Sequence, residues 1–124
     1  MSMRKINFDR VEEFDRDCIK LSKRKCKTLL DDLETIKKAL RVKIPEHQST
    51  KRINDLGELV KIPIYKVRRF RCRAIKKGSY SGFRLIYAYI EDSSTITFIQ
   101  FYHKDNEKIE NRKRIYKYFK EKEI

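Results

Sequence analysis

The chain has 124 residues, enough for a single domain spanning residues 1–124, and its hydrophobic content of 40%, including seven Phe and seven Tyr, argues against disorder. Its formal net charge of +14 indicates a polyanionic partner, with nucleic acid first and an acidic protein or an anionic membrane surface as alternatives. No segment approaches the roughly 20 apolar residues of a membrane span, and no signal-peptide pattern follows the N-terminus. We therefore expect a cytoplasmic protein without a membrane partner.

The cysteines and histidines carry no spacing typical of a cross-link or a metal site. Cys18, Cys26 and Cys72 form no Cys-x-x-Cys pair, and their odd number argues against a disulfide scaffold. We expect reduced, mostly buried thiols. His47 and His103 lie far apart and near no cysteine in the sequence, so we predict neither a zinc site nor any other cofactor.

The first half of the chain reads as a short strand followed by a helical hairpin. A strand is predicted at residues 4–8, and Asp9 followed by Glu12 resembles a capping box that would start a helix. Apolar residues then recur at helical spacing in two stripes separated by a break near Ser22. These stripes are Val11, Phe14, Cys18 and Leu21, then Cys26, Leu29, Leu33, Ile36 and Leu40.

The second half has the alternation and turn signals of an antiparallel meander. Residues 43–62 are predicted to be a loop with one helical turn around Ile53 to Leu56. A C-terminal helix is predicted from Asp105 or Asn106 to about Phe119. Three strands lie between the loop and this helix, at 64–74, 83–90 and 95–102. The order β-α-α-β-β-β-α predicts an α+β fold in which an antiparallel sheet is packed by the helical hairpin and the C-terminal helix.

Positive charge is concentrated between Leu59 and Ile90, where there is no acidic residue. If Tyr65 and Val67 face the core, Lys66 and its alternate neighbours face away from it. A bulge near Arg68-Arg69 would place Lys66, Arg68, Arg71 and Arg73 on one face, suited to phosphates or to an acidic protein partner. The nine basic residues of this segment are Lys61, Lys66, Arg68, Arg69, Arg71, Arg73, Lys76, Lys77 and Arg84.

Two local features add possible chemistry. The loop at 76–82 contains two glycines and two serines, and it could donate backbone N–H groups to a phosphate, although it also reads as an ordinary hairpin turn. His103 follows the last predicted strand between Tyr102 and Lys104, where a histidine could act as a general acid or base near neutral pH.

Three segments of the C-terminal half resemble the RelE/ParE toxin superfamily. The segment 65–68 (Tyr-Lys-Val-Arg) is similar to its basic second strand. The segment 81–87 (Ser-Gly-Phe-Arg-Leu-Ile-Tyr) is similar to its Ser-Gly-aromatic-Arg-aliphatic-aliphatic-Tyr strand. The segment 101–104 (Phe-Tyr-His-Lys) stands where RelE-like nucleases place an Arg or His. The element order also matches over nearly the whole chain.

The RelE branch of this superfamily implies a type II toxin that cleaves messenger RNA on the ribosome and is neutralised by a cognate antitoxin protein. The implied reaction is attack of the RNA 2′-hydroxyl on the adjacent phosphate without a metal. RelE also uses a Tyr on its C-terminal helix, but Glu110 stands at that spacing here, so Tyr102 or Tyr116 would have to replace it. The implied catalytic set is Lys66, Arg68, Arg84, Tyr102, His103 and Lys104. The remaining cations of the acid-free segment are candidates for RNA binding, namely Arg69, Arg71, Arg73, Lys76 and Lys77.

Two alternatives remain open. The ParE branch of the superfamily poisons DNA gyrase and cleaves no RNA, and it generally lacks the basic-plus-His set formed here by Lys66, Arg84 and His103. A non-catalytic module that binds RNA or the ribosome is the second alternative. Only a nuclease would leave new 5′ ends on translated messenger RNA.

Overall fold

The structure, a computed structural model, describes residues 5–43 and 50–121. Helices and a sheet are both present, as the predicted α+β class requires. The strands form one five-stranded sheet in the order β1-β5-β4-β3-β2. The elements in chain order are β1 (Asn7–Arg10), α1 (Glu12–Arg24), α2 (Leu29–Val42), β2 (Thr50–Arg52), β3 (Ile64–Val67), β4 (Phe83–Ile90), β5 (Thr95–His103) and α3 (Arg112–Phe119).

The sheet is antiparallel except at one edge. β2, β3, β4 and β5 pair antiparallel with their neighbours, but β1 pairs parallel with β5, with Asn7 opposite Thr95. The prediction of an entirely antiparallel sheet is therefore wrong at this edge. The pairing joins the first strand to the last, and local sequence carries no information about the relative direction of strands so far apart.

The predicted loop at 43–62 contains an additional edge strand. β2 pairs antiparallel with β3, with Lys51 opposite Lys66. A three-residue strand with the sequence Thr-Lys-Arg has no apolar alternation, because its side chains are largely exposed at the sheet edge. The predicted helical turn around Ile53 to Leu56 is absent: Asp55 and Gly57 have φ values of 62° and 85°, which are incompatible with a right-handed helix. Residue 4 and residues 44–49, which include His47, lie outside the described residues.

The strand predicted at 64–74 ends early. β3 stops at Val67, and the chain then turns inward so that Phe70 and Cys72 become fully buried. The ring of Phe70 packs edge-on against Phe101 with a centroid distance of 5.0 Å. The predicted bulge near Arg68-Arg69 and the shared face for Lys66, Arg68, Arg71 and Arg73 are therefore wrong. Burial of the two apolar side chains, and not strand parity, decides the path of residues 68–82.

Both predicted helix starts are also wrong. Asp9 belongs to β1, and α1 follows Val11 without a side-chain cap. α3 begins at Arg112, not at Asp105 or Asn106, because Asn111 is its N-cap and its Oδ1 accepts a hydrogen bond of 3.0 Å from the Arg114 backbone N–H. The Asn111 N–H also donates to the Gln100 side chain over 2.7 Å, which fixes the start of the helix against β5.

The core includes an aromatic layer between the sheet and the helices. Phe98 of β5 stacks on Phe14 of α1 at 5.4 Å, and Tyr65 stacks on Tyr87 at 5.4 Å across β3 and β4. These pairs bury large apolar surfaces, as the stripe pattern predicts. Within residues 5–43 and 50–121, no helix has the length and apolar character needed to cross a bilayer.

The cysteines differ from the expectation of reduced thiols. Cys26, in the turn between α1 and α2, and Cys72, in the loop after β3, form a disulfide across a sequence separation of 46. Neither position has a local pattern that signals its partner. Cys18 is the free cysteine of the described residues, and burial together with the carboxylates of Asp17 and Asp15 raises the pKa of its thiol to about 12. Cys18 is therefore a protonated, unreactive side chain at neutral pH.

Candidate active site

A pocket of about 390 Å³ opens where β2, β3 and the start of α3 meet. Cationic side chains outnumber carboxylates around it, so its field favours an anionic ligand. Arg68 is exposed at its rim and makes no ion pair within the described part of the chain. The lining residues are Lys51, Arg52, Ile53, Asn54, Asp55, Lys66, Arg68, Glu110 and Arg112.

A buried ion pair connects β3 to the segment before α3. Lys66 Nζ lies 2.7 Å from Glu110 Oε1, and the side chains are 21% and 5% exposed. Arg112 Nε lies 3.4 Å from Glu110 Oε2, while its Nη1 donates to the Asp55 carbonyl over 2.8 Å. The carboxylate of Glu110 therefore holds two of the cations that line the pocket in fixed positions.

The charge state of Glu110 follows from these contacts. Burial, the largest single influence, acts to raise the pKa of this carboxyl. The hydrogen bond and charge of Lys66, assisted by Arg112, outweigh burial and leave the pKa lowered. Glu110 is thus an ionised carboxylate at neutral pH, able to accept a proton.

Tyr102 lies beside the ion pair on the same face of the sheet. Burial raises the pKa of its phenol, and the interaction with Lys66 only partly offsets that effect. The phenol therefore remains protonated at neutral pH and can donate a hydrogen bond or a proton. Lys66 interacts with both Glu110 and Tyr102, so one ammonium joins a proton acceptor and a proton donor.

Arg84 stands directly opposite Tyr102 in the β4–β5 register. Its side chain is half-buried, and its Nη1 donates to the adjacent Phe83 carbonyl over 3.3 Å. No ion pair between Arg84 and a carboxylate occurs within residues 5–43 and 50–121. The guanidinium therefore retains donors for an anion.

His103 lies on the opposite face of the sheet from Tyr102, with its ring edge-on to Phe83 at 4.9 Å. Its Nε2 is 3.1 Å from the Ser81 carbonyl oxygen, and its Nδ1 accepts the Asp105 backbone N–H over 3.1 Å in the neutral ring. Both nitrogens are occupied by backbone groups, so the geometry gives no support to a role in proton transfer. The neighbouring Lys104 is exposed and, like His103, Tyr102 and Arg84, is not among the residues that line the pocket.

The contact between His103 and Gly82 gives a testable consequence. Gly82 and Gly57 have nearly the same φ, 87° and 85°, but a Cβ on Gly82 would lie 2.6 Å from His103 Nε2, whereas one on Gly57 would meet nothing within 4 Å. We expect Gly57→Ala to cost about 1 kcal/mol of backbone strain. Gly82→Ala should cost about 3 kcal/mol, because steric overlap adds to the same strain. Urea unfolding of both variants measures the difference, and equal losses would show that His103 moves away freely.

The candidate RNA-binding residues have different environments. Arg69 lies over the exposed ring of Tyr80 at 5.5 Å, and Arg71 is exposed beside Gly78. Lys76 and Lys77 are exposed in the same loop. These four cations are available to a polyanion. Arg73 differs, because it forms ion pairs of 3.3 Å with Asp31 and 3.2 Å with the buried Asp32.

Sequence reasoning missed several residues of the pocket. Glu110 was noted only as a departure from the family pattern, and Lys51, Arg52 and Arg112 were not singled out. Their signal is weak in isolation, because each is a charged residue in a highly charged chain. The one local signal is the carboxylate of Glu110, which is followed by the N-cap residue Asn111 and a basic helix. Only the fold brings Glu110 into contact with Lys66.

No protein-family model matches the chain, and no curated protein sequence matches it. Among solved structures, the crystal structure of a metal-bound toxin from Helicobacter pylori is similar in fold, with a TM-score of 0.50 and 14% sequence identity. The similarity covers 83% of this chain and 99% of the toxin. The chain therefore shares its α+β fold with a bacterial toxin.

Proposed function

We propose that this protein is the toxin of a toxin–antitoxin pair and that it cleaves messenger RNA on the ribosome. The observation that carries the proposal is the Lys66–Glu110 ion pair with the adjacent Tyr102, next to a cationic pocket. It joins a proton acceptor, a proton donor and positive charge, which are the groups that RNA transesterification requires. The fold shared with a toxin supports the class of protein.

Arginines are assigned to the phosphate. Arg68 at the pocket rim and Arg84 beside Tyr102 can donate paired N–H groups to the non-bridging oxygens, and this donation strengthens as charge develops in the transition state. The exposed cations Arg69, Arg71, Lys76 and Lys77 would bind the flanking RNA backbone. The guanidinium groups supply the charge stabilisation that a metal ion provides in other nucleases, so we expect a metal-independent reaction.

Proton transfer is assigned to the Lys66 cluster. Glu110 accepts the proton of the attacking 2′-hydroxyl, and the phenol of Tyr102 donates a proton to the departing 5′-oxygen. The products are a 2′,3′-cyclic phosphate and a 5′-hydroxyl end. Lys66 interacts with both groups and can return the proton from Glu110 to Tyr102. Such acid and base steps typically contribute about 10²–10⁴-fold each.

Two partners follow from the proposal. The ribosome presents the messenger RNA, which places the action in the cytoplasm. A cognate antitoxin, rich in acidic residues, would cover the cationic surface and suppress cleavage until it is removed. Both partners are inferences from the toxin class and the charge of the pocket.

The test is primer extension on translated messenger RNA with purified wild-type protein. New 5′ ends are expected with wild type and should be reduced by at least about 10²-fold with Lys66→Ala, because both proton-transfer groups lose their common partner. Lys61→Ala is the matched control, since Lys61 lies in the same acid-free segment but is 67% exposed and pairs with Glu121 outside the pocket. Absence of new ends with wild type, combined with inhibition of DNA supercoiling by gyrase, would favour the ParE-like alternative. Ribosome binding without new ends would favour the non-catalytic module.

A further inference from the structure

A second cluster of reactive side chains lies away from the pocket, where the helical hairpin meets the loop after β3. Cys26, Cys72 and Asp32 come from the α1–α2 turn, that loop and the first turns of α2, and they are 0%, 0% and 4% exposed. Their sulfur and carboxylate oxygen atoms lie within 4.8 Å of one another. Two thiols and one carboxylate, brought together from the helical hairpin and the loop after β3, are a donor set that zinc takes in proteins.

The distances suit a tetrahedral ion once the two sulfurs are no longer bonded. Cys26 Sγ is 3.5 Å from Asp32 Oδ2. Zinc bonds of about 2.3 Å to sulfur and about 2.0 Å to oxygen place those two atoms roughly 3.5 Å apart across a tetrahedral edge. Reduction of the disulfide separates the sulfurs to van der Waals contact, near the roughly 3.7 Å that the same zinc–sulfur bonds require.

The surroundings supply the fourth ligand position and a compensating charge. Thr28 Oγ1 lies 2.7 Å from Asp32 Oδ2 and 3.8 Å from Cys72 Sγ, so its hydroxyl or a water in its place faces the cluster. The Arg73 guanidinium lies 3.2 Å from Asp32 Oδ1 and orients the carboxylate, as a supporting partner of a metal ligand does. The charges of two thiolates, one carboxylate, Zn²⁺ and the Arg73 guanidinium sum to zero, although the half-exposed Arg73 also pairs with the exposed Asp31 over 3.3 Å.

We propose that Cys26, Cys72 and Asp32 bind one zinc ion when a thiol reductant has reduced the Cys26–Cys72 disulfide. Reduction adds two electrons and two protons to the sulfurs, and zinc binding then releases the two thiol protons. The same pair of cysteines thus cross-links the helical hairpin to the loop in both redox states, by a disulfide when oxidised and through the ion when reduced. The site is structural and separate from the Lys66 cluster.

Cobalt substitution tests the site directly. The full-length protein is reduced, freed of reductant under argon and titrated with Co²⁺ and then with Zn²⁺. We expect one equivalent of Co²⁺ to give thiolate charge-transfer absorption and the strong visible bands of a tetrahedral ion, and Zn²⁺ to abolish both. The same protein oxidised to its disulfide, verified by a mass two hydrogens lower, should give neither signal.

Variants assign the ligands. Cys26→Ser should weaken the charge-transfer band, since only the Cys72 thiolate remains, and should lose at least about 10²-fold in zinc affinity, because a serine hydroxyl cannot replace a thiolate. Cys18→Ser, the matched control at the free cysteine, should bind as wild type does. Reduced wild type that binds no Co²⁺, or that binds it without thiolate absorption, would overturn the proposal. So would equal binding by the disulfide form, a comparison that needs no variant to fold.

Discussion

Replacing Arg84 with alanine should reduce ribosome-dependent cleavage by about 10²–10³-fold, the range found when a donor to a developing oxyanion is removed. The melting temperature should stay close to that of wild type. Arg84 has no ion pair with a carboxylate in the described part of the chain, and its one hydrogen bond is to the neighbouring Phe83 carbonyl. Its removal therefore takes little from the fold but a phosphate donor from the proposed site. Primer extension and a melting curve on the same sample measure the two effects.

Two further variants define the role of Arg84. Arg84→Lys should recover only part of the rate, because an ammonium keeps the charge but cannot form the paired contacts of a guanidinium. Arg16→Ala is the matched control, since Arg16 is an exposed arginine of α1 paired with Glu12. Normal cleavage by folded Arg84→Ala would exclude the phosphate role. A loss of cleavage that follows a loss of folded protein would instead make Arg84 a structural residue.

The Glu110→Ala variant should be strongly destabilised, by about 3 kcal/mol, which corresponds to a fall in melting temperature of roughly 10 °C. The Glu110 carboxylate is 5% exposed, and its loss leaves the ammonium of Lys66 largely buried without its partner. Because Lys66 is 21% exposed, the expected loss lies at the lower end for buried ion pairs. Glu12→Ala removes an exposed ion pair with Arg16 and should cost no more than about 0.5 kcal/mol.

Glu110→Gln separates stability from chemistry. The amide keeps a hydrogen bond to Lys66, so this variant should be less destabilised than Glu110→Ala, but it cannot accept a proton and should lose cleavage by at least about 10²-fold. Full cleavage by Glu110→Gln would remove Glu110 from the proton-transfer step while leaving the proposed nuclease function intact. Equal stability of Glu110→Ala and Glu12→Ala would show that the buried pair contributes nothing to the fold.

Glu110 also makes the stability of the folded protein depend on pH, in a direction that follows from its lowered pKa. A carboxyl whose pKa is lowered by folding stabilises the protein above its unfolded pKa of about 4.3, and this contribution is lost as the pH falls through the lowered value. Glu13 also contributes acid sensitivity, since its hydrogen bond from Tyr118 lowers its pKa to about 2. The difference between wild type and Glu110→Gln therefore isolates Glu110, and it should shrink on acidification from pH 5 to 3.

The spacing of apolar residues was sufficient to predict those helices and strands whose sequence pattern is imposed by burial. The strands predicted at 83–90 and 95–102 agree with β4 and β5 within one residue, because both lie in the interior of the sheet and are buried nearly throughout. The helical stripes likewise predict α1 and α2. Elements fixed by contacts between distant segments were missed: the three polar residues of β2 become a strand only because β3 is beside them.

The candidate site was predicted only in part, because it too depends on contacts between distant segments. Strand parity placed Lys66 on the face away from Tyr65 and Val67, which is where it lies. It could not indicate that Glu110 would be its partner, because the two residues meet only when the segment before α3 folds over the sheet. Arg73 shows a second limit of the sequence. Its contact with nucleic acid stays a prediction, and its charge alone could not indicate that the guanidinium pairs with a buried aspartate on α2.

The parallel pairing of β1 with β5 has a consequence for synthesis of the protein. Residues 7–10 are synthesised well before their partners at residues 95–98. The first strand and the face of α1 that covers Phe98 therefore keep their apolar surfaces exposed until residues 95–98 have been synthesised. A nascent chain that lacks residues 95–98 cannot complete this edge of the sheet, so closure of the edge is a late step of folding during synthesis.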